Sequence, residues 1–206
     1  MRWSKVMIAF ESSLPAAEAA AADARAMARA REGDWEAFGQ LVERHRRGLV
    51  RYLARLVSSR ERGEELAQET FVRLWLAAGR YREEGRFEAY LYRIGTRLAR
   101  SSERRERLRL RNILSGAREV KAEAFEDADA SSRLLREEEA RELARAVAAL
   151  PLRFRAPLIL HAIEERPIAE ISQLLGVPPG TVKTRLFRAR RRLRETLGDF
   201  WNGEAS

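Results

Sequence analysis

Seven basic side chains, Lys183, Arg185, Arg188, Arg190, Arg191, Arg192 and Arg194, fall between Gly180 and Arg194 with no acid among them. At that density the chemistry on offer is ion pairing with a row of phosphates. Such a row needs a rigid support, and the flanking residues supply one. Ile168, Ile171 and Leu175 share one helical face, and Gly176 stands where a left-handed residue would end that helix. Val182, Leu186, Ala189 and Leu193 carry an apolar stripe along a second helix. Two helices joined by a tight turn, the second burying one face and offering cations on the other, read as a DNA-binding helix-turn-helix. The same pattern also suits a solvated surface helix or one lying on a membrane.

A second row of cations lies upstream. Arg93, Arg97, Arg100, Arg104, Arg107 and Arg111 recur in steps of three or four, which puts them along one side of one helix. The 206-residue chain carries a formal charge of +9 and a pI near 10.8, favouring nucleic acid as partner ahead of an anionic membrane. The charge is uneven: seven Arg against two Glu from Arg97 to Arg111, but nine acids against four basic residues from Glu119 to Glu142. That alternation predicts two binding faces on two lobes. Other chemistries are poorly provided for. There is no Cys, which excludes disulfides, thiolate zinc sites and cysteine nucleophiles and fits a reducing compartment. The two His are far apart, and neither a Gly-rich phosphate loop nor metal-ligand spacing occurs, so no catalytic residue, metal or cofactor is expected. The apolar run Val6 to Phe10 is too short for a signal sequence, and no stretch approaches the ~20 apolar residues that span a bilayer. A soluble, cytoplasmic protein without membrane insertion is the expectation.

Helix-period patterns recur without sustained alternation, which predicts an all-α fold. The first strong helix follows Gly33, with Asp34 as N-cap and Phe38, Leu41, Val42, His45, Leu49, Tyr52, Leu53 and Leu56 at helical spacing. His45, inside that stripe, reads as structural. A second helix is expected from about Glu64 to Ala78, a charged loop over Gly79 to Arg86, and a third helix from Phe87 with Leu91, Ile94 and Leu98 inward. Residues 1–29 are Ala-rich with little to bury, and read as a disordered extension, although Pro15 could open a helix through Ala30. Small and acidic residues over 112–134 read as a flexible linker. Beyond it come a helix carrying Leu143, Val147 and Leu150 and stopped by Pro151, then one from Leu152 to Glu164 with Pro157 inside, then the helix-turn-helix. The expected organisation is an extension (1–29), a helical domain (30–111), a linker (112–134), a second helical domain (135–198) and a tail (199–206).

Two helical lobes with a basic helix in each, joined by an acidic linker, resemble an extracytoplasmic-function (ECF) sigma factor of the sigma-70 family of bacterial RNA polymerase. The residues that carry the resemblance are Gly33-Asp34 with Ala37-Phe38, EELAQETFVRLW (64–75) and FEAYLYRIGTRLA (87–99) in the first lobe. In the second they are ALPLRFRAPLIL (149–160) and the helix-turn-helix through GTVKTRLFRARRRL. The likeness covers about residues 30–110 and 135–197, five blocks in order.

The resemblance implies that the first lobe is sigma region 2, which binds the polymerase clamp and melts the −10 promoter element. The second is implied to be region 4, which reads the −35 element as duplex. Glu64, Glu65, Gln68 and Glu69, beside the apolar Phe71 and Trp75, are then the clamp contact; read from the residues alone, those acids suit the start of a helix. Strand opening falls to the loop from Tyr81 to Phe87 and the helix after it. Tyr81, Phe87, Tyr90 and Tyr92 are candidates to stack on a base, core packing being the alternative for at least half of them. Arg86, Arg93, Arg97, Arg100 and Arg104 would hold the backbone. Arg97 stands where the family often has Asn, and Ser101 near its Asp, so the family's −10 base preference does not carry over whereas backbone binding does. In the second lobe Thr181, Lys183, Thr184, Phe187 and Arg188 fall at the −35-reading positions, with guanine, a base edge and a thymine methyl as their targets. Arg185, Arg190, Arg191 and Arg192 would take phosphates. His161 replaces a frequent Arg, implying a weaker or pH-dependent phosphate contact.

The function so implied is that of an alternative sigma factor. It would join core RNA polymerase through the β and β′ subunits, recognise the −35 and −10 elements, and promote DNA opening, with an anti-sigma factor as regulatory partner. The competing reading is a helix-turn-helix transcriptional regulator that acts without replacing sigma; it leaves the Glu64–Trp75 patch and the first Arg stripe idle. An adaptor binding only proteins is a third, against which the undiluted basic helix argues.

Overall fold

The computed structural model describes residues 3–82, 86–113 and 132–198, with side chains over 17–82, 86–109 and 140–198. Most of the expected linker and all of the expected tail lie outside these residues, as do Glu83, Glu84, Gly85 and the Arg111 side chain. Among the described residues the regular structure is helical: α1 (Trp3–Arg31), α2 (Trp35–Val57), α3 (Arg60–Leu76), a 3₁₀ turn (Ala78–Arg80) and α4 (Phe87–Ile113), then α5 (Ser132–Ala149), α6 (Leu152–Ala162), α7 (Ile168–Leu175) and α8 (Pro179–Leu197).

Local chemistry sets the boundaries. The Asp34 carboxylate accepts from the Ala37 amide at 2.9 Å and starts α2, as expected. Ser58, at φ 54°, closes α2 in the left-handed region, and Ser59 caps α3 by accepting from the Arg62 amide. The second helix therefore begins at Arg60, one turn earlier than Glu64, because a serine cap outranks the onset of apolar periodicity. Immediately inside it, Gly63 lets α3 approach α2: a Cβ there would lie 2.5 Å from the Ala54 backbone. No larger residue fits that crossing.

The first lobe is built on the buried stripe of α2, with Leu41, Leu49, Tyr52, Leu53 and Leu56 fully enclosed. Leu74 from α3 and Leu91 and Leu98 from α4 close over it, and the Tyr52 and Thr96 hydroxyls share a buried 3.0 Å hydrogen bond. Of the two readings open for the N-terminal extension the structure has the helix, longer than Pro15 to Ala30, and its C-terminal half packs on α2. Ala26, Met27 and Ala30 are buried, and full burial of Met27 contributes about 1.5–3 kcal/mol by itself. Small side chains gave a weak pattern but permit close helix contact. Asp23 ties the same helix down, its carboxylate meeting Arg44 and, at 2.8 Å, His45 Nε2. His45 is thus structural and partnered. Burial works to raise the Asp23 pKa, but the hydrogen bonds and charges of His45 and Arg44 prevail and hold it below the ordinary value.

In the second lobe α6 is the buried element. Phe154, Ala156, Pro157, Ile159 and Leu160 are all enclosed, and Pro157 is accommodated within the helix. The helix stops at Ala162, two residues before the expected end, and Glu165 takes a left-handed turn (φ 52°) towards α7. Leu143 is exposed, Ala146 and Leu150 providing the inward face of this end of α5 instead. Arg155, 6% exposed, donates to the carbonyls of Ala148 and Leu150 at the end of α5, and at 2.7 Å to Leu56 O at the end of α2. One guanidinium therefore serves carbonyls that two helix ends leave without intrahelical partners. Burial lowers its pKa, partly offset by the nearby charge of Glu103.

Candidate nucleic-acid and partner interfaces

On α8 the expected division holds. Val182, Leu186, Ala189 and Leu193 are buried, while Lys183, Thr184, Phe187, Arg188, Arg190, Arg191 and Arg192 face solvent. Phe187 is 61% exposed, which no packing requirement explains. Gly176, at φ 64°, makes the turn between α7 and α8. Thr184 donates its hydroxyl to Gly180 O at 2.9 Å, which leaves oxygen lone pairs directed outward to accept. Thr181, Thr184, Arg185 and Arg188 share a concavity of about 400 Å³ with Arg153 and Phe154 of α6. Arg153 sits over the Phe154 ring at 4.8 Å and Arg192 at 5.3 Å, so this aromatic fixes two cations from different helices. Arg153 was not foreseen, because its sequence neighbours are apolar and carry no cationic periodicity. Arg185 is half-buried. His161 is also half-buried, with Nδ1 3.3 Å from the Arg166 carbonyl, so a backbone group faces its ring where a phosphate was expected.

The first Arg stripe is less uniform. Arg97, Arg100 and Arg104 are exposed on α4. Arg93 is half-buried and donates to Ala89 O, and Arg107 pairs with Glu103 at 3.1 Å. Of the aromatics expected to meet a base, Tyr81 and Phe87 are corrected to core positions in this conformation. Their rings lie 6.2 Å apart, and His45 covers Phe87 at 5.1 Å. Tyr92 is also buried, against Tyr52, with its hydroxyl pKa pushed up to about 12 by desolvation and then by Glu88. Tyr90 alone of the four is half-exposed. It lines a cavity of about 200 Å³ with Arg80, Tyr81, Arg82, Arg86 and Arg93. Arg80 and Arg82 are the additions there.

On α3, Glu64, Glu65 and Glu69 pair within the helix with Arg60, Arg62 and Arg73, all at least partly exposed, while Gln68 is open to solvent. Exposed pairs of this kind contribute little and exchange partners easily. Phe71 is corrected to the core, edge-on to Phe38, and Trp75 is partly covered. The outward apolar groups are instead Trp35 (65% exposed), Val72 (57%) and Leu76 (79%). With Trp75, Gln68 and Glu64 they line a groove of about 650 Å³ between α2 and α3. A signal was present: Gln68, Val72 and Leu76 lie four apart, off the core-facing stripe.

Sequence comparison gives these surfaces a family. Residues 41–109 match the model of Sigma-70 region 2, and residues 140–193 that of Sigma-70 region 4. The RNA polymerase sigma factor CarQ of Myxococcus xanthus is 31% identical over 173 residues, covering 84% of this chain and 96% of CarQ. The ECF RNA polymerase sigma factor SigM of Mycobacterium tuberculosis (strain ATCC 25618 / H37Rv) is 32% identical, covering 85% of each chain. The chain belongs to the ECF sigma factors. It is an alternative sigma factor, and sigma factors are transcription initiation factors, not enzymes. The free-standing regulator is not favoured, since region 2 is present as well as the helix-turn-helix. Among solved structures this sigma factor resembles CnrH in its complex with the cytosolic domain of CnrY, at 26% identity and a TM-score of 0.58, over 85% of this chain and 97% of CnrH. It shares its fold with the sigma factor RpoE of Bartonella quintana, solved with the anti-sigma factor NepR, at 23% identity and a TM-score of 0.60, over 78% and 96% of the two chains. Among the described residues no helix is long and apolar enough to cross a membrane, and no cluster of His, Asp or Glu could hold a metal.

Proposed function

We propose that this sigma factor works in the cytoplasm, docks on core RNA polymerase through the α2–α3 groove, and contacts promoter DNA through α4 and α8. The observation that carries the reading is the groove. Trp35, Val72 and Leu76 are exposed beside Gln68 and the acids of α3, on a helix pair remote in sequence from the helix-turn-helix. A regulator that binds only DNA has no use for it. An apolar floor with an acidic rim suits a helical, basic surface on the polymerase clamp. Glu64, Glu65, Gln68, Glu69 and Trp75 supply that contact, with Phe71 supporting it from beneath.

In this reading 30–111 and 135–198 act as the two domains, with the β and β′ subunits as their polymerase partners. The −35 element is read by Lys183, Thr184, Phe187 and Arg188, with Thr181 at the helix start and Arg185 and Arg191 on phosphates. Arg97, Arg100 and Arg104 track one strand of the −10 element. A single unstacked base enters the small cavity beside Tyr90, Arg86 and Arg93, with Tyr81 and Phe87 forming its structural wall. Because the fold is shared with CnrH, solved with a CnrY domain, and with RpoE, solved with an anti-sigma factor, the proposal includes an anti-sigma factor as partner. With no Cys in this chain, thiol sensing would reside in that partner.

Run-off transcription with purified core polymerase on a genomic fragment library tests the reading. Discrete transcripts sharing two spaced upstream elements are expected. Glu65→Arg with Glu69→Arg should weaken core binding at least ~10-fold and spare binding to −35 duplex. Lys183→Ala with Arg188→Ala should do the reverse. Identical defects in both pairs would sink the assignment of roles.

A further inference from the structure

Asp23 and His45 form a buried pair outside the DNA and polymerase surfaces. The Asp23 side chain is 6% exposed and that of His45 14%, although both carry groups that water solvates well. An ionised carboxylate only accepts, so His45 Nε2 donates to Asp23 Oδ2 at 2.8 Å, and the Arg44 guanidinium takes the other oxygen. One residue of α1 thereby sets the orientation of an imidazole on α2. An apolar pair of similar shape could fill the same space, but it would leave the ring plane free to turn. The ring so fixed also faces α4. Its neighbour there is Phe87, the first residue of that helix, at 5.1 Å and tilted by 52°.

From Phe87 the contacts continue to the cavity beside Tyr90. The Phe87 ring meets Tyr81 edge-on at 6.2 Å, and Tyr81 meets Tyr90 at 5.1 Å. Phe87 and Tyr81 are both buried, whereas Tyr90 is half-exposed. The cavity holds about 200 Å³, and its sides come from two segments: Arg80, Tyr81 and Arg82 at the end of the 3₁₀ turn, and Arg86, Tyr90 and Arg93 at the start of α4. Four guanidiniums and no carboxylate line it, so like charge tends to push those sides apart. Packing of ring on ring opposes the spread, and the far end of the stack is fastened by the hydrogen bond from His45 to Asp23. A planar guest such as a base needs its walls at a set separation, which a supporting layer of side chains must hold.

We infer that Asp23 and His45 are positioning residues for the base-accepting cavity: Asp23 locks the His45 ring, His45 seats Phe87, and the Phe87–Tyr81–Tyr90 stack keeps the cavity at the width of one base. Neither residue touches DNA; both act through Phe87. The N-terminal helix α1 is then part of strand opening, although it carries none of the contacts to the promoter. The inference rests on the reading of that cavity as the place where an unstacked base enters.

The test uses the full-length protein on core polymerase with a promoter duplex recovered by run-off transcription, carrying 2-aminopurine at successive adenines of the −10 element. Fluorescence rises when the labelled base leaves the stack. Affinity for a −35 duplex, affinity for core and the urea midpoint are measured beside it. His45→Phe keeps a ring and loses the tether, His45→Gln keeps a donor and loses the ring, and Asp23→Leu removes the acceptor. Each should lower the unstacking equilibrium about 10-fold, the scale of one base stack, with −35 and core affinities unchanged within about 2-fold. Asp23→Asn, which retains an acceptor oxygen, should lose only about 2-fold. Met27→Ala loosens α1 outside the chain of contacts, so it should lower the urea midpoint and leave unstacking as it was. Full unstacking in His45→Phe and Asp23→Leu overturns the positioning role. An equal loss in Met27→Ala overturns it too, reducing the pair to an anchor for α1. Tyr90→Ala separates the two readings. If it leaves unstacking intact, the cavity does not take the base and the inference falls with it. If it abolishes unstacking while the His45 and Asp23 variants behave as the parent, the cavity reading stands and the positioning role alone is lost.

Discussion

The two cationic helices, α4 and α8, differ in how finished they are. On α8 the apolar side chains are buried on one face and the reading groups stand in solvent on the other. It can meet duplex DNA as a rigid body. On α4 the exposed guanidiniums share the helix with Glu103 and Glu106, Arg93 is half-covered by the second lobe, and the neighbouring Tyr81 and Phe87 are in the core. That surface is less fully presented to solvent than the one on α8. Sequence-wide charge counts make the helices equivalent; burial separates a presented surface from one held back.

The largest effect expected on this comparison comes from Arg155, which supports α8 through α6 and reaches across to α2. Arg155→Ala should destabilise the second lobe by about 2–3 kcal/mol, since three carbonyls lose a buried donor. Urea unfolding followed by circular dichroism measures it, and an unchanged midpoint would remove Arg155 from the account. Lys183→Ala alone should cost about 1–2 kcal/mol in −35 duplex affinity, roughly 10-fold, and relax preference at one base pair. By contrast Arg190→Ala should weaken all sequences alike and lower the salt-dependence slope by about 1. Equal losses for both variants on specific and random duplex would mean that α8 positions without reading.

A smaller effect concerns α1, which braces the α4 side. Asp23 has a depressed pKa in the folded chain, so its contribution is present above the ordinary Asp value and lost as pH falls through the lowered one. Amide exchange in α1 should accordingly accelerate below about pH 4, while Asp23→Asn should exchange faster already at neutral pH and lose that acid dependence. No difference between the two proteins at any pH would show that the Arg44 and His45 contacts do not hold the helix. The smallest effect is expected at the Arg191–Glu195 pair, both partners exposed and 3.4 Å apart: Glu195→Ala should change stability by less than about 0.5 kcal/mol.

Most of the local structure was legible in the chain. Asp34 as a cap, Gly176 as the turn and the Val182–Leu193 stripe all depend on interactions within a few residues, which spacing records directly. Phe71, expected in the clamp contact beside the acids of α3, lies in the core beneath the groove, because one helical stripe can serve a core and a docking face and neighbouring positions differ by only 100° of rotation. Trp35, Val72 and Leu76 were missed for the same reason. The packing of α1 was missed because alanine gives a faint apolar signal, although its small size lets helices approach closely.

Residue order alone determined most of the helices, the Asp34 cap, the two lobes and the cationic faces, because each follows from short-range spacing and side-chain type. Only the tertiary structure decided which aromatics face inward, and that Glu164 meets Arg51 across 113 residues of chain. Periodicity says that a face must be covered or charged; it carries no record of which distant surface will do the covering. That choice is made by shape and paired charge when the lobes meet.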